Sequence, residues 1–280
     1  MHVTVDGRRI GFDDTGGTGV PLVLLHGFPL DRTSWDDVMP ALAGIRVIRP
    51  DLRGCGESEP GDGPALMESL AGDVAALLDA LEADRAIVAG HSIGGYVALA
   101  FFRMYEERVA GLGLVASHVN ADASRAPAIG EPLEVQRALA ASRDAMAERL
   151  EREGTMDAAI ESYLPRYFAP ALYRQRPALV ERLRAMMARQ NAAGCAQLQR
   201  GMMERLASDD LLADVRVPAL VVAGAQDAYI TAASLRETAA AMSGAVFVEL
   251  DGVGHLPQME DPRRTGAALA RLAQVPNEPK

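Results

Sequence analysis

Three side chains, Ser92, Asp227 and His255, have the types and order needed for nucleophilic acyl chemistry. A serine hydroxyl attacks a carbonyl only when a base removes its proton, and an imidazole base needs a carboxylate to hold its tautomer. Ser92 lies in Gly90-His91-Ser92-Ile93-Gly94, a G-x-S-x-G pattern. "RAIVAG" before it is β-branched and apolar and reads as a buried strand. "GGYVALAFFRMY" after it reads as a buried helix. A serine at such a strand-to-helix turn stands above the sheet on strained backbone, beside the free N–H groups of the helix start. The same five residues also fit an N-cap serine in a glycine-rich turn, so the rest of the chain has to decide.

Five histidines are available. His2 is terminal, and His91, next to Ser92, is expected to point elsewhere on the turn. His118 reads as a polar loop residue, and His26 as a prop for its loop. His255, in "LDGVGHLPQMEDP", follows the last apolar run and precedes the last helix pattern. Asp227, in "VVAGAQDAYI", directly follows another apolar run. Alone it would read as a turn aspartate, and Asp122 is the fallback acid. The order Ser, Asp, His, each after a strand, is the one the elbow arrangement requires. An oxyanion would need two N–H donors. Ile93 follows the nucleophile and supplies one. In "HGFPLD" Pro29 has no N–H, so Phe28 supplies the other, and Gly27 lets that loop bend.

The elements that must position these groups alternate. "HVTVD" and "RRIGFDD" form a hairpin about Asp6-Gly7. Apolar runs follow at Val20–Leu25, Ile45–Pro50, Ala86–Gly90, Val109–Ala116, Val217–Gly224 and Ala245–Leu250, with helix patterns at Leu66–Glu82, Gly95–Tyr105, Ala232–Met242 and Pro262–Gln274. This rhythm predicts an α/β fold with a mainly parallel, doubly wound sheet. It breaks between 118 and 210, where amphipathic helical segments replace strands. That block is expected to cap the C-terminal edge of the sheet, where open α/β sheets bind ligands. The expected division is a core of 1–117 and 211–280 and a helical cap of 118–210. The tail "VPNEPK" is expected to be disordered.

Composition narrows the function. A net charge of −10 and a pI near 5.0 argue against nucleic acid and anionic membrane surfaces as partners. The N-terminus lacks the apolar core of a secretion signal, so a cytoplasmic protein is expected. Cys55 and Cys195 form no metal or disulfide pattern. Lys280, the only lysine, sits at the extreme tail, which removes Schiff-base chemistry. "DLRGCGES" lacks the lysine of a phosphate loop and reads as a structural turn, with Cys55 a small packed residue. Oligomeric state is not set by any of these features.

"HGFPLD", "DLRGCGES", "GHSIGG", "AGAQD" and "GVGHLPQMEDP", in that order, resemble the α/β-hydrolase superfamily across nearly the whole chain. The resemblance implies an eight-stranded, mostly parallel sheet flanked by helices, with a helical cap after the sixth strand. It carries Ser92, Asp227 and His255 into the triad and implies no metal and no cofactor. "ALAGIRVIRPDLRGCGES" and the cap segment are similar to enol-lactone hydrolases and small bacterial carboxylesterases, while "HGFPLD" is more like the cofactor-free perhydrolase branch. A serine nucleophile disfavours haloalkane dehalogenases and epoxide hydrolases, whose nucleophile is aspartate. The expected activity is hydrolysis of small to medium carboxylic esters or lactones. The alternatives are a lyase, cyclase or perhydrolase using the same site, or a ligand-binding protein on the same fold. Phe28, Phe168, Met187, Ile230 and Leu256 are the expected substrate-binding residues. Trp35, Tyr163, Tyr167, Tyr173, Met186, Met202 and Met203 fit either a pocket wall or the core. Arg166, Arg174 and Arg176 are candidates to meet an acidic substrate.

Overall fold

The computed structural model describes residues 1–120 and 133–275; the fallback acid Asp122 and the last five residues of the tail lie outside them. Eight strands form one sheet in the order β1-β2-β4-β3-β5-β6-β7-β8. β1 (His2–Val5) and β2 (Arg8–Asp14) make the hairpin, and β2 runs antiparallel to β4 (Val47–Pro50). β3 (Leu22–Leu25), β4, β5 (Ala86–His91), β6 (Val109–Val115), β7 (Ala219–Gly224) and β8 (Val246–Leu250) are mutually parallel. The expected strands are all present: β2 has the expected bounds, β5 runs one residue further, to His91, and the others are shorter by one or two residues.

The inner strands are apolar on both sides because both sheet faces are covered. Leu22 and Leu24 join Trp35, Val38, Leu269 and Leu272 on one face, under a 3₁₀ helix (Arg32–Leu42) and the C-terminal helix (Pro262–Gln274). Val23 and Leu25 point the other way, into a core shared with α1 (Met67–Ala80) and α2 (Ile93–Met104). The stretch after "HGFPLD" is not an open loop. Asp31 instead caps the 3₁₀ helix, its carboxylate accepting from the Thr33 N–H at 3.0 Å. Trp35, in that helix, is fully buried rather than lining a pocket.

Between β6 and β7 run α3 (Leu133–Glu153), α4 (Asp157–Tyr167), α5 (Pro170–Gln175), α6 (Pro177–Ala188) and α7 (Ala192–Met203). The short α5 was not foreseen. After β7 come α8 (Ala232–Ala241), α9 (Pro257–Glu260) and α10 (Pro262–Gln274). α7 is pressed onto the core. A Cβ on Gly54 would lie 2.7 Å from the Gly194 Cα, and one on Gly194 would lie 2.3 Å from the Gly54 carbonyl oxygen, so only glycine fits at both. Cys55 and Cys195 are buried on either side of this crossing. Gln197 exchanges two hydrogen bonds with Gly61, and Asp31 receives Arg189 and Gln190 from the end of α6. No helix among the described residues is long and apolar enough to cross a membrane.

Candidate active site

Ser92 joins β5 directly to α2, with φ 51° and ψ −118°. This is left-handed territory that costs a non-glycine residue on the order of 1–3 kcal/mol and persists only where surrounding contacts enforce it. The contacts are on hand. The Ser92 N–H donates to the Val115 carbonyl at 3.0 Å, and the Ser117 hydroxyl donates to the Ser92 carbonyl at 2.7 Å. Gly90 faces the first turn of α2 so closely that a Cβ there would lie 2.0 Å from the Gly94 carbonyl.

Asp227 and His255 come together at the ends of the neighbouring strands β7 and β8. The Asp227 carboxylate meets His255 Nδ1 at 2.7 Å through Oδ2, and its Oδ1 accepts from the N–H groups of Tyr229 and Ile230. Both side chains are almost fully shielded. The His255 loop hangs on Glu260, whose carboxylate accepts from the N–H groups of Gly254, Leu256 and Ala169. Burial raises the Glu260 pKa, and those three donors pull the other way.

Ser92 and His255 line one cavity of about 110 Å³, together with Phe28, Tyr96, His118, Leu139, Arg143, Tyr163, Tyr167, Met202, Tyr229 and Ile230. Of the expected substrate-binding residues, Phe28 and Ile230 are brought to this cavity and three are not. Phe168 and Met187 are buried in the core, where α4 packs on α6. Leu256, adjacent to His255, turns inward as its N–H goes to Glu260. Tyr173, Met186 and Met203 do not line it either, and neither do the three candidate arginines. Arg166 lies over the Tyr229 ring, and Arg176 donates to the Glu260 carbonyl. The cavity's arginine is Arg143 of α3, whose Nη1 donates to Gln199 Oε1 at 3.3 Å. Tyr96 was missed although it stands four residues after Ser92, one turn along α2. Tyr229 was missed although it lies two residues after Asp227. Those short separations were the available signals. Arg143 and Leu139 also share a helix face, but nothing in the sequence says where α3 docks.

Neither the Phe28 nor the Ile93 N–H donates to another group among the described residues. The Phe28 loop is held from two sides. His26 accepts from the Leu52 N–H through Nε2, as the proposed prop should. From α4, the Tyr167 hydroxyl donates to the Phe28 carbonyl at 2.5 Å, while its ring stacks on His255 at 5.6 Å between centroids. Tyr167 thus ties His255 to the loop carrying one proposed oxyanion donor. Tyr167→Phe should keep the stacking and lose the tether, lowering kcat about tenfold with KM little changed. Unchanged kcat on a p-nitrophenyl ester would remove Tyr167 from any positioning role.

His91 does not simply point away from the site. Its Nε2 lies 2.6 Å from the His255 carbonyl, and the two rings are 5.0 Å apart. Burial holds the pKa of His26, His91 and His118 below the ordinary histidine value of 6.5, with Arg205 and Arg143 adding to the effect at His118. In the unfolded chain these rings take up protons near pH 6.5, and in the native state they resist. Their contribution to stability is therefore complete above pH 6.5 and is lost as pH falls below it. Glu260 and Asp73, raised by burial, act in the opposite sense. The histidine part is therefore read as a difference: between pH 6.5 and 5, urea unfolding should lose stability more slowly in His118→Asn than in the unmodified protein. Identical slopes would show that His118 charges as readily in the folded state.

Comparison with known proteins places this fold in a family. An esterase from Thermogutta terrifontis, solved with malate bound, superposes with a TM-score of 0.89 at 35% identity, covering 98% of this chain and all of that one. The enol-lactonase of Burkholderia xenovorans superposes at 0.85 with 27% identity, covering 98% of this chain and all of that one. Among curated proteins, the dihydrolipoyllysine-residue acetyltransferase component of an acetoin cleaving system from Pseudomonas putida is 35% identical over 91% of this chain, though the match spans only 64% of that protein. A soluble epoxide hydrolase from Corynebacterium is 45% identical over 37% of this chain and 36% of its own length. The model of the alpha/beta hydrolase fold family matches residues 20–262, and the chain belongs to that family.

Proposed function

We propose that this chain is a serine hydrolase that cleaves carboxylic esters or lactones with small to medium acyl groups. The observation that carries the reading is the shielded Asp227–His255 pair opening onto the same cavity as a serine on strained backbone. In this reading His255 takes the Ser92 proton as the hydroxyl attacks the carbonyl, and Asp227 stabilises the imidazolium. The N–H groups of Phe28 and Ile93 hold the oxyanion. His255 then protonates the leaving alcohol, and water, activated by the same imidazole, releases the acid. The esterase and enol-lactonase among the structural neighbours support this chemistry. The serine at position 92 argues against the route of an epoxide hydrolase.

A cavity of about 110 Å³ walled by Phe28, Tyr163, Tyr167 and Tyr229 favours a short apolar acyl group. kcat/KM across p-nitrophenyl esters from acetate to palmitate, with a lactone series alongside, should peak at the short to medium end; a maximum at palmitate would overturn the size assignment. A second reading has its own support. Pro29 follows the proposed oxyanion donor as in perhydrolases, and a non-heme chloroperoxidase from Streptomyces lividans is 42% identical over 33% of this chain and 34% of its own length. Peroxide should then compete with water for the acyl-enzyme and yield peracid slowly. Rapid labelling by a fluorophosphonate separates both enzymatic readings from a pure ligand-binding role.

A further inference from the structure

A second and larger cavity, about 600 Å³, lies at the opposite end of the sheet. It is bounded by the residues entering β7 (Val217 to Leu220), by Val246 and Val248 of the edge strand β8, and by the end of α10. It shares no residue with the catalytic cavity. Its volume is within the range of small-molecule sites. Its walls are aliphatic, and two of them leave apolar surface open to water: Val246 is 55% exposed and Val275 42%. No aromatic side chain lines it, so a planar ring would have nothing to stack on.

The rim is cationic. Arg85, Arg216 and Arg271 line the cavity, and among the described residues no acidic side chain does. None of the three is ion-paired among the described residues, although the chain carries ten more acidic than basic residues and most of the other described guanidiniums sit on carboxylates. Arg85 and Arg216 donate to the backbone carbonyls of Val109 and Ala213, and Arg85 Nε is buried with no acceptor. Glu106 and Glu107 line only an adjoining cavity, which shares Arg85 and Arg216. An aliphatic trough ending in unpaired guanidinium forks fits an apolar chain with a carboxylate head, since the fork matches a carboxylate in two parallel hydrogen bonds. We propose that this cavity binds an aliphatic carboxylate of medium chain length, independently of the reaction at Ser92.

Calorimetric titration with decanoate tests it. One decanoate should bind per chain, decanol at least tenfold more weakly, and Arg216→Ala/Arg271→Ala should weaken decanoate binding by more than tenfold. Val246→Asp should abolish binding by placing a charge in the aliphatic wall. Both variants lie far from Ser92, so unchanged ester hydrolysis certifies their fold. Equal affinity for decanol, undiminished binding in both variants, or no binding at millimolar decanoate would overturn the proposal. So would binding that appears only when the chain is cut after Val275, which would make residues 276–280 the occupant. Sedimentation showing self-association that Val246→Asp abolishes would assign the trough to a second copy and overturn it as well.

Discussion

Replacing Ser92 by alanine is expected to lower kcat on p-nitrophenyl acetate by about 10⁶-fold, the scale of loss when a triad nucleophile is removed. The fold should survive, because the contacts enforcing the elbow are backbone and glycine contacts. The Ser92 N–H and carbonyl are held by Val115 and Ser117, and its hydroxyl caps no helix N–H. Alanine still has to adopt φ near 51°, so a modest fall in Tm is expected alongside the loss of rate. Fluorophosphonate labelling should vanish with the activity. Retention of more than a hundredth of the rate in a folded variant would mean that another group attacks the carbonyl.

Asp227→Asn should cost roughly 10⁴-fold in kcat, through a tautomer. Asp227 Oδ1 accepts from two backbone N–H groups, at 2.7 and 3.1 Å. An asparagine has to keep its carbonyl oxygen there, which turns its NH₂ toward His255 Nδ1. That nitrogen must then accept, the proton moves to Nε2, and the face meant to receive the Ser92 proton is already occupied. Stability should change far less than rate, since the side chain remains the same size and hydrogen-bonded. Crude activity, kcat/KM and urea unfolding together check this. A near-normal rate would require the acid to come from elsewhere, with Asp122 the first alternative.

The parts of the site that were legible in the sequence are those fixed by short range. Gly90, Ser92 and Gly94 specify the elbow because strand, turn and helix meet within five residues. Asp227 and His255 could be placed because each directly follows an apolar strand, and parallel strands deliver their following residues to one edge. Phe28 was expected as a donor because Pro29 has no N–H, and the structure brings Phe28 to the cavity. What escaped depends on how one helix docks on another. Periodicity gives the apolar face of a helix but not its partner, so Phe168 and Met187 were expected at the cavity, whereas they are buried in the core and do not line it. Leu256 failed for the opposite reason: adjacency to His255 in the chain implies little about direction where a new helix begins. Tyr167 could be foreseen as a wall residue, but not as the tether of the Phe28 loop, since that bond joins residues far apart in sequence.

The Gly54–Gly194 crossing bears on how such an enzyme can be rebuilt. Backbones in contact leave no clearance for a side chain on either partner, so α7 behaves as part of the foundation although it lies within the helical insertion. A chimera that takes the whole stretch between β6 and β7 from a relative would inherit a foreign surface against the Gly54 turn. Exchanging only α3 to α5 would carry over Leu139, Arg143, Tyr163 and Tyr167, four walls of the catalytic cavity, and leave that seam untouched. A cut in the α5–α6 linker spares that seam but parts α3 from α7, the helix it packs on most extensively, so a transplant of specificity has to bring the α3-facing side of α7 with it.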